Sequence, residues 1–312
     1  MHTTQFDEIT IGVGSVDLHD SIQIALANIP VDEKNIEASY LGSPQLGRAR
    51  LKPFTTLLNE VSHYRNAAKR PVDLIVFPEV SVPHAWVGML AAWVRRHRIG
   101  MVCGLEHRID HKGQAFNEVL ALLPYQTSRG HWACVPVRRL KRFYSPAEEF
   151  ILENEHLIVP KPKSSRYHLF RWRGASFAIY NCFELASIED RSIFKGHVDF
   201  IVATEFNRDT SYFSNIVEAA ARDLHCYIVQ VNDSGFGDSR VVSPSKSEFM
   251  NPVRIKGGDN QTFVTTSLKL SELRSHQRKA YGLQKDAKEF KPTPPGFPLS
   301  GLRKRTALGK KI

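Results

Sequence analysis

The sequence is short of cysteine. Cys103, Cys134, Cys182 and Cys226 are the only four in 312 residues. None forms a Cys-x-x-Cys pair and no Cys/His cluster has zinc spacing, so a zinc site is not expected. A chain this long buries enough surface to need no disulfide staples, so free thiols in a reducing compartment are expected. Long apolar runs are also missing. None approaches the ~20 residues that cross a bilayer, and residues 1–8 lack the basic-then-apolar layout of a signal peptide. The expectation is a cytoplasmic protein with no membrane partner. No short-period repeat is present, which excludes a solenoid. Acidic residues are absent from one stretch. Residues 291–312 hold Lys291, Arg303, Lys304, Arg305, Lys310 and Lys311 and no acid, within a net charge of +10. Such a tail can contact nucleic acid, acidic protein or anionic lipid. Its plainest reading is a solvated, poorly ordered end.

What is present is ordinary for a globular chain, with 42% hydrophobic and 24% charged residues, so fold class has to come from pattern. Residues 21–26 alternate as a strand does. Leu51, Phe54, Leu58 and Val61 recur at helical spacing within residues 48–69. Residues 72–77 read as a strand stopped by Pro78. A helix over 84–98 follows, then strands over 99–105, 116–123 and 132–137. Residues 138–163 lose the pattern, as a surface excursion does. Strands over 167–172 and 175–181 flank Gly174 as a tight hairpin. Further strands over 198–203, 227–231 and 263–268 surround a helix carrying Phe213, Ile216, Val217, Ala220 and Leu224. Strands separated by helices indicate an α/β protein. Adjacent strands without a helix between them argue for a layered sandwich with two mixed sheets. The prolines after residue 290 favour an extended, polyproline-like segment.

Three polar residues stand where strands end. Glu79 follows the strand that closes on Phe77-Pro78, where a sheet holds a carboxylate rigidly at the edge of a cleft. Lys141 lies in Arg138-Arg139-Leu140-Lys141-Arg142, a run that by itself reads as a solvated face. Cys182 follows the strand ending at Asn181, and a helix is expected next. A thiol at such a junction can use the first free N–H groups of that helix to stabilise negative charge. Cys103, Cys134 and Cys226 lie within or at the start of apolar strands and read as core.

Together these segments resemble the nitrilase, or carbon–nitrogen hydrolase, superfamily over residues 20–275. The resemblance rests on Phe77-Pro78-Glu79, Lys141 and Cys182-Phe183-Glu184, in that order. Arg191, Ala221-Arg222, Asn232 and Gly235 also fit. A second Glu is expected soon after the Lys, and Glu149 matches it best. Three features depart from the pattern: Arg142-Phe143-Tyr144 after the Lys, Asn181 before the Cys, and Thr204-Glu205-Phe206-Asn207, which lacks the usual Pro.

The resemblance implies a four-layer α-β-β-α sandwich that pairs into an eight-layer dimer or a higher homo-oligomer. The expected organisation is an N-terminal extension over 1–20, a hydrolase domain over 21–290 and a Pro-rich basic tail over 291–312, to which the resemblance does not extend. The implied reaction cleaves a non-peptide C–N bond of a small amide, carbamoyl compound or nitrile through a thioester on Cys182. Glu79 would carry the proton, while Lys141 and the backbone N–H of Phe183 would bind the oxyanion. Glu149 would position Lys141 or the substrate, and no metal or organic cofactor is needed. Two other readings compete with it. One is a catalytically inactive or regulatory module of the same fold. The other is a nucleic-acid-associated protein using the basic tail, as in phage-defence proteins that carry a similar domain.

Overall fold

Apolar runs of five to nine residues dictate most of the strands. The computed structural model describes residues 5–12, 20–162 and 166–307. Its first strands are β1 (Gln5–Ile11), β2 (Ile22–Asn28), β3 (Leu74–Val76), β4 (Gly100–Gly104), β5 (Arg108–Ile109), β6 (Ala115–Phe116), β7 (Glu118–Gln126) and β8 (Trp132–Leu140). Those of the second half are β9 (Arg166–Trp172), β10 (Ala175–Asn181), β11 (Phe200–Thr204), β12 (Tyr227–Val231), β13 (Ser239–Val242), β14 (Val253–Ile255) and β15 (Thr262–Leu268). The helices are α1 (Glu33–Tyr40), α2 (Arg48–His63), α3 (Val87–His97), α4 (Pro146–Asn154), α5 (Ile188–Ser192), α6 (Thr210–Leu224), α7 (Leu270–Arg278), α8 (Tyr281–Gln284) and α9 (Leu299–Ala307).

Two mixed sheets result, one seven-stranded in the order β1-β9-β10-β11-β12-β13-β14, the other six-stranded in the order β15-β2-β3-β4-β7-β8. Their facing sides share one core. Ile24, Leu26 and Val76 come from one sheet and Phe177, Phe200 and Val229 from the other. Within it Phe170, Phe177 and Phe200 stack across three strands, with centroids 5.1 and 4.8 Å apart. Helices α2 and α3 cover the six-stranded sheet, where Phe54, Leu58 and Leu90 meet Ile75, Phe77 and Met101. Helix α6 covers the other, packing Val217, Ala220 and Leu224 on Ala178, Ile201 and Ile228. The architecture is therefore the α-β-β-α sandwich. All seven residues of β2 are buried, because both faces of its sheet are covered. The β9–β10 hairpin turns on Arg173 and Gly174, both left-handed at φ 49° and 75°, the geometry that a two-residue hairpin of matching twist needs.

The structure corrects the sequence reading at several places. Residues 5–11, within the expected N-terminal extension, form β1, which pairs in parallel with β9 at the edge of the large sheet. The span 138–163 contains the end of β8 and the whole of α4. The tail is not simply solvated. Leu302 is buried and Arg305 is fully enclosed, donating to Asp199 Oδ1 at 2.7 Å. Lys310 and Lys311 lie outside the described residues. No helix among the described residues is long and apolar enough to cross a membrane.

Candidate active site

The carboxylate of Glu79 reaches the site because β3 ends at Val76 and the chain turns sharply after Pro78. Val80 takes a left-handed φ of 45°, and the turn is pinned to β4 by Gly104 N–H donating to Pro78 O at 3.0 Å. Gly104 allows this closeness. A Cβ there would lie 2.4 Å from the Glu79 Cα. Glu79 is 3% exposed.

Lys141 follows β8 directly. Its backbone N–H donates to Asn117 O at 2.9 Å, and its side chain is 1% exposed. The ammonium donates to Glu79 Oε1 at 2.7 Å and to Glu148 Oε2 at 2.5 Å. Asn117 closes the other side of the cluster, its amide nitrogen reaching Glu79 Oε1 at 2.9 Å and Glu148 Oε1 at 2.7 Å. His107 Nε2 sits 3.1 Å from Glu148 Oε1. Asn181, just before the cysteine, donates to Asn117 Oδ1 at 2.8 Å and accepts from Thr204 Oγ1 at 2.7 Å. One polar chain therefore links both sheets beneath the site.

Cys182 stands at the head of a 3-10 turn, Cys182–Ala186, with a left-handed φ of 48°. A non-glycine residue held there stores about 1–3 kcal/mol of strain. The surrounding structure holds it in place. Glu184, fully buried in the same turn, accepts Asn181 N–H at 2.7 Å and Arg142 N–H at 2.6 Å. It also takes both Arg139 nitrogens, at 2.5 and 2.6 Å. The acid of the Cys182-Phe183-Glu184 motif thus ties the cysteine turn to the end of the strand that carries Lys141. Cys182 is 7% exposed. The charges of Glu79, Lys141 and Glu205 act on its thiol, and the Phe206 N–H donates to it.

Electrostatics separates the groups. Burial, then the neighbouring Glu148 charge, holds Glu79 above the usual carboxylate range against the pull of Lys141. Burial pushes Glu148 the same way, but Lys141 and His107 outweigh it and hold that carboxyl low. Burial opposes the Lys141 charge, yet Glu148 and Glu79 keep the ammonium well above its ordinary range. Burial and the Glu79 charge push the Cys182 thiol well up, so at rest it keeps its proton. Such a set can pass one proton between sulfur and carboxylate beside a fixed cation.

The structure brings together Glu79, Lys141 and Cys182, but not Glu149. Glu149 is exposed on α4, and its neighbour Glu148 faces Lys141. Ser145 caps α4 and fixes this phase, accepting Glu148 N–H at 3.2 Å. Asn117, His107 and Glu205 carry no signal in the sequence beyond their type. Phe183 occupies the second position of the 3-10 turn. Cys103 and Cys226 are fully enclosed in apolar clusters and Cys134 is partly buried. Among the described residues no group of His, Cys, Asp and Glu is arranged to hold a metal ion.

This geometry sits in a known fold, that of the nitrilase, or carbon–nitrogen hydrolase, superfamily. A CN-hydrolase superfamily protein from Xanthomonas campestris, with an arsenic adduct in its active site, superposes with a TM-score of 0.55 at 16% identity, covering 86% of this chain and 98% of its own. Saccharomyces cerevisiae Nit3, of branch 10 of the nitrilase superfamily, gives 0.56 at 13%, covering 85% and 96%. An amidase from Nesterenkonia sp. gives 0.53 at 14%, covering 87% and 98%. No family model and no curated protein matches the sequence.

Proposed function

We propose that the chain is a carbon–nitrogen hydrolase whose nucleophile is Cys182. The observation that carries this reading is the Lys141–Glu79 contact of 2.7 Å beside a thiol held at a left-handed φ of 48°. Glu79 takes the thiol proton as the sulfur attacks the carbonyl carbon of an amide or carbamoyl group. The oxygen gains the negative charge, and the Lys141 ammonium and Phe183 N–H donate to it. One such donor is worth about 3 kcal/mol in the transition state. Glu79 returns the proton to the departing nitrogen, ammonia or an amine leaves, and a thioester remains. Water, deprotonated by the same Glu79, then releases the acid and regenerates the thiol. Glu148 takes the role first given to Glu149, fixing the Lys141 ammonium with help from His107 and Asn117. A nitrile would instead give a thioimidate on Cys182, to which one water adds before ammonia leaves and the same thioester forms. One Nesterenkonia amidase structure carries the acetamide moiety of fluoroacetamide on its active-site cysteine, and the same class of adduct is expected on Cys182. A homodimer, as the resemblance implies, is part of this proposal.

The test is a panel of small amides, carbamoyl compounds and nitriles, with mass spectrometry of the intact protein. Acyl mass on Cys182 and loss of turnover by at least about 10⁴-fold in Cys182→Ala are expected. Turnover that survives Cys182→Ala overturns the assignment. So does an electrophile that labels Cys182 no faster than the enclosed Cys103 and Cys226.

A further inference from the structure

Glu205 has no part in the chemistry above, yet its backbone is wedged into that site. Its carbonyl accepts the Glu79 N–H at 3.2 Å, and the N–H of the next residue, Phe206, donates to the Cys182 thiol. The side chain is fully buried. Oε2 accepts from Gln230 Nε2 at 2.7 Å, whereas Oε1 is enclosed and accepts nothing among the described residues. Leaving a buried acceptor unsatisfied costs about 1–3 kcal/mol. An apolar side chain would avoid that cost, so the acid calls for a partner that arrives from outside the fold.

The charges around Cys182 say what kind of partner. Glu79 and Glu205 both act on the Cys182 thiol, and the one ammonium beside it, Lys141, is already shared between Glu79 and Glu148. The His107 ring lies on Glu148 at 3.1 Å, away from Glu205 in the hydrogen-bond chain. Arg240 makes no hydrogen bond to Glu205 among the described residues; it donates to Gln230 Oε1 at 3.1 Å, and its charge is felt at Glu205 from beyond that amide. That guanidinium is itself paired with Glu218 at 3.1 Å and Asp238 at 3.6 Å. Two carboxyl groups therefore stand against one ammonium around Cys182, although the chain as a whole carries +10.

We propose that Glu205 recognises a positively charged donor on the substrate, so that the molecule cleaved is an amide bearing a protonated amine or amidine. This rests on the hydrolase reading, in which the substrate sits against Cys182. The free oxygen would accept the cationic N–H, and the incoming charge would displace the proton that burial otherwise keeps on Glu205. An amide bearing a carboxylate would set a second acid against Glu205 and be excluded.

The test separates this inference from the reading it rests on. Binding of 5-aminopentanamide, hexanamide and the monoamide of adipic acid is measured by calorimetry to the Cys182→Ala protein, where no turnover occurs. These probes match in length and carry positive, zero and negative charge. The cationic amide is expected to bind about 10- to 100-fold tighter than hexanamide, the worth of a charged hydrogen bond in a buried site. The added Glu205→Gln change should erase that preference and leave hexanamide binding as it was. Equal affinities for the cationic and neutral amides, a preference for the anionic one, or no binding of the cationic amide overturns the inference. So does a preference that survives in Glu205→Gln. The comparison within the Cys182→Ala protein decides the matter even if the double variant does not fold. Wild-type turnover of hexanamide without charge preference would sink this inference and spare the hydrolase. Charge-selective binding without turnover of any amide would do the reverse.

Discussion

Lys141 lies between two carboxylates that are not equivalent. Glu148 is held low by Lys141 and His107, so it stays charged, whereas Glu79 is pushed up by burial and by Glu148. Carboxyls whose environments drive them apart divide their labour, one fixed as an anion and one able to exchange a proton. Adjacent substitutions test this division. Glu148→Gln should lower kcat by about 10²-fold or more through loss of the Lys141 anchor, while Glu149→Gln should leave it within about twofold. Steady-state rates on one substrate decide it, and equal effects would reverse the placement on α4. Glu205 gives a separate signature. Burial, then Glu79, raises its carboxyl from 4.5 to about 8, against the hydrogen bond from Gln230. The folded chain therefore keeps a proton that the unfolded chain has lost. The stability this contributes is complete below pH 4.5 and is lost as pH rises toward about 8. Buried His84, His168 and His225, lowered from 6.5 to about 4, act in the opposite sense only below pH 6.5. From pH 6.5 to 8 the wild type should lose about 2 kcal/mol relative to Glu205→Gln, read from urea midpoints at each pH. Parallel curves would show that Glu205 does not titrate there.

At the scale of elements the site is a meeting of strand ends. Glu79 follows β3, Lys141 follows β8 and Cys182 follows β10. The apolar runs before Glu79 and Cys182 made those two ends legible without coordinates, whereas β8 is mostly half-buried or exposed and runs three residues past the strand its sequence suggests, so only the family resemblance singled out Lys141. The rest was not legible, for physical reasons. Glu148 and Glu149 differ by about 100° around a helix, and one turn of sequence does not fix its phase when the face it packs on is unknown. Asn117 looks like any loop amide until β6 and β7 are known to be separated by that one residue. Strands β13 and β14 span four and three residues and helix α8 four, too few for a period to show. Gly104 offers the sharpest test of how elements place the site. Its missing Cβ lets the backbone of Glu79 approach, and a Cβ would stand 2.4 Å from one backbone atom and 2.6 Å from another, Val80 N. Backbone cannot step aside as a flexible side chain can. Gly104→Ala should therefore cost about 1–3 kcal/mol of stability and move Glu79 off Lys141, lowering kcat more than it raises KM. Wild-type kinetics in a destabilised Gly104→Ala protein would show that the turn adapts without moving the carboxylate.

Across the whole molecule, the first and last described segments, β1 and α9, are built into the same half of the sandwich. Strand β1 pairs with β9 on one edge of the large sheet, and α9 returns to the base of β11. There the fully buried Arg305 donates to Val198 O at 2.8 Å, Asp199 Oδ1 at 2.7 Å and Gln277 Oε1 at 2.9 Å. Asp199 also accepts Ser176 N–H at 2.8 Å and binds Arg274 at 2.5 Å. Two guanidiniums on one carboxylate at the core end of α7 and α9 turn a segment that reads as a basic tail into a clasp. One of its six basic residues is thereby withdrawn from any surface role. Removing one partner of a buried pair usually costs 3–5 kcal/mol because a charge is left unpaired. Here Arg274 remains on Asp199, so Arg305→Ala should cost about 2–4 kcal/mol and lower the melting temperature by several degrees. Exposed Lys304, one residue away, is the control, and Lys304→Ala should stay within about 0.5 kcal/mol. If both variants melt with the wild type, α9 is not part of the cooperative fold. A loss confined to Arg305→Ala shows that residues 299–307 stabilise the sandwich itself.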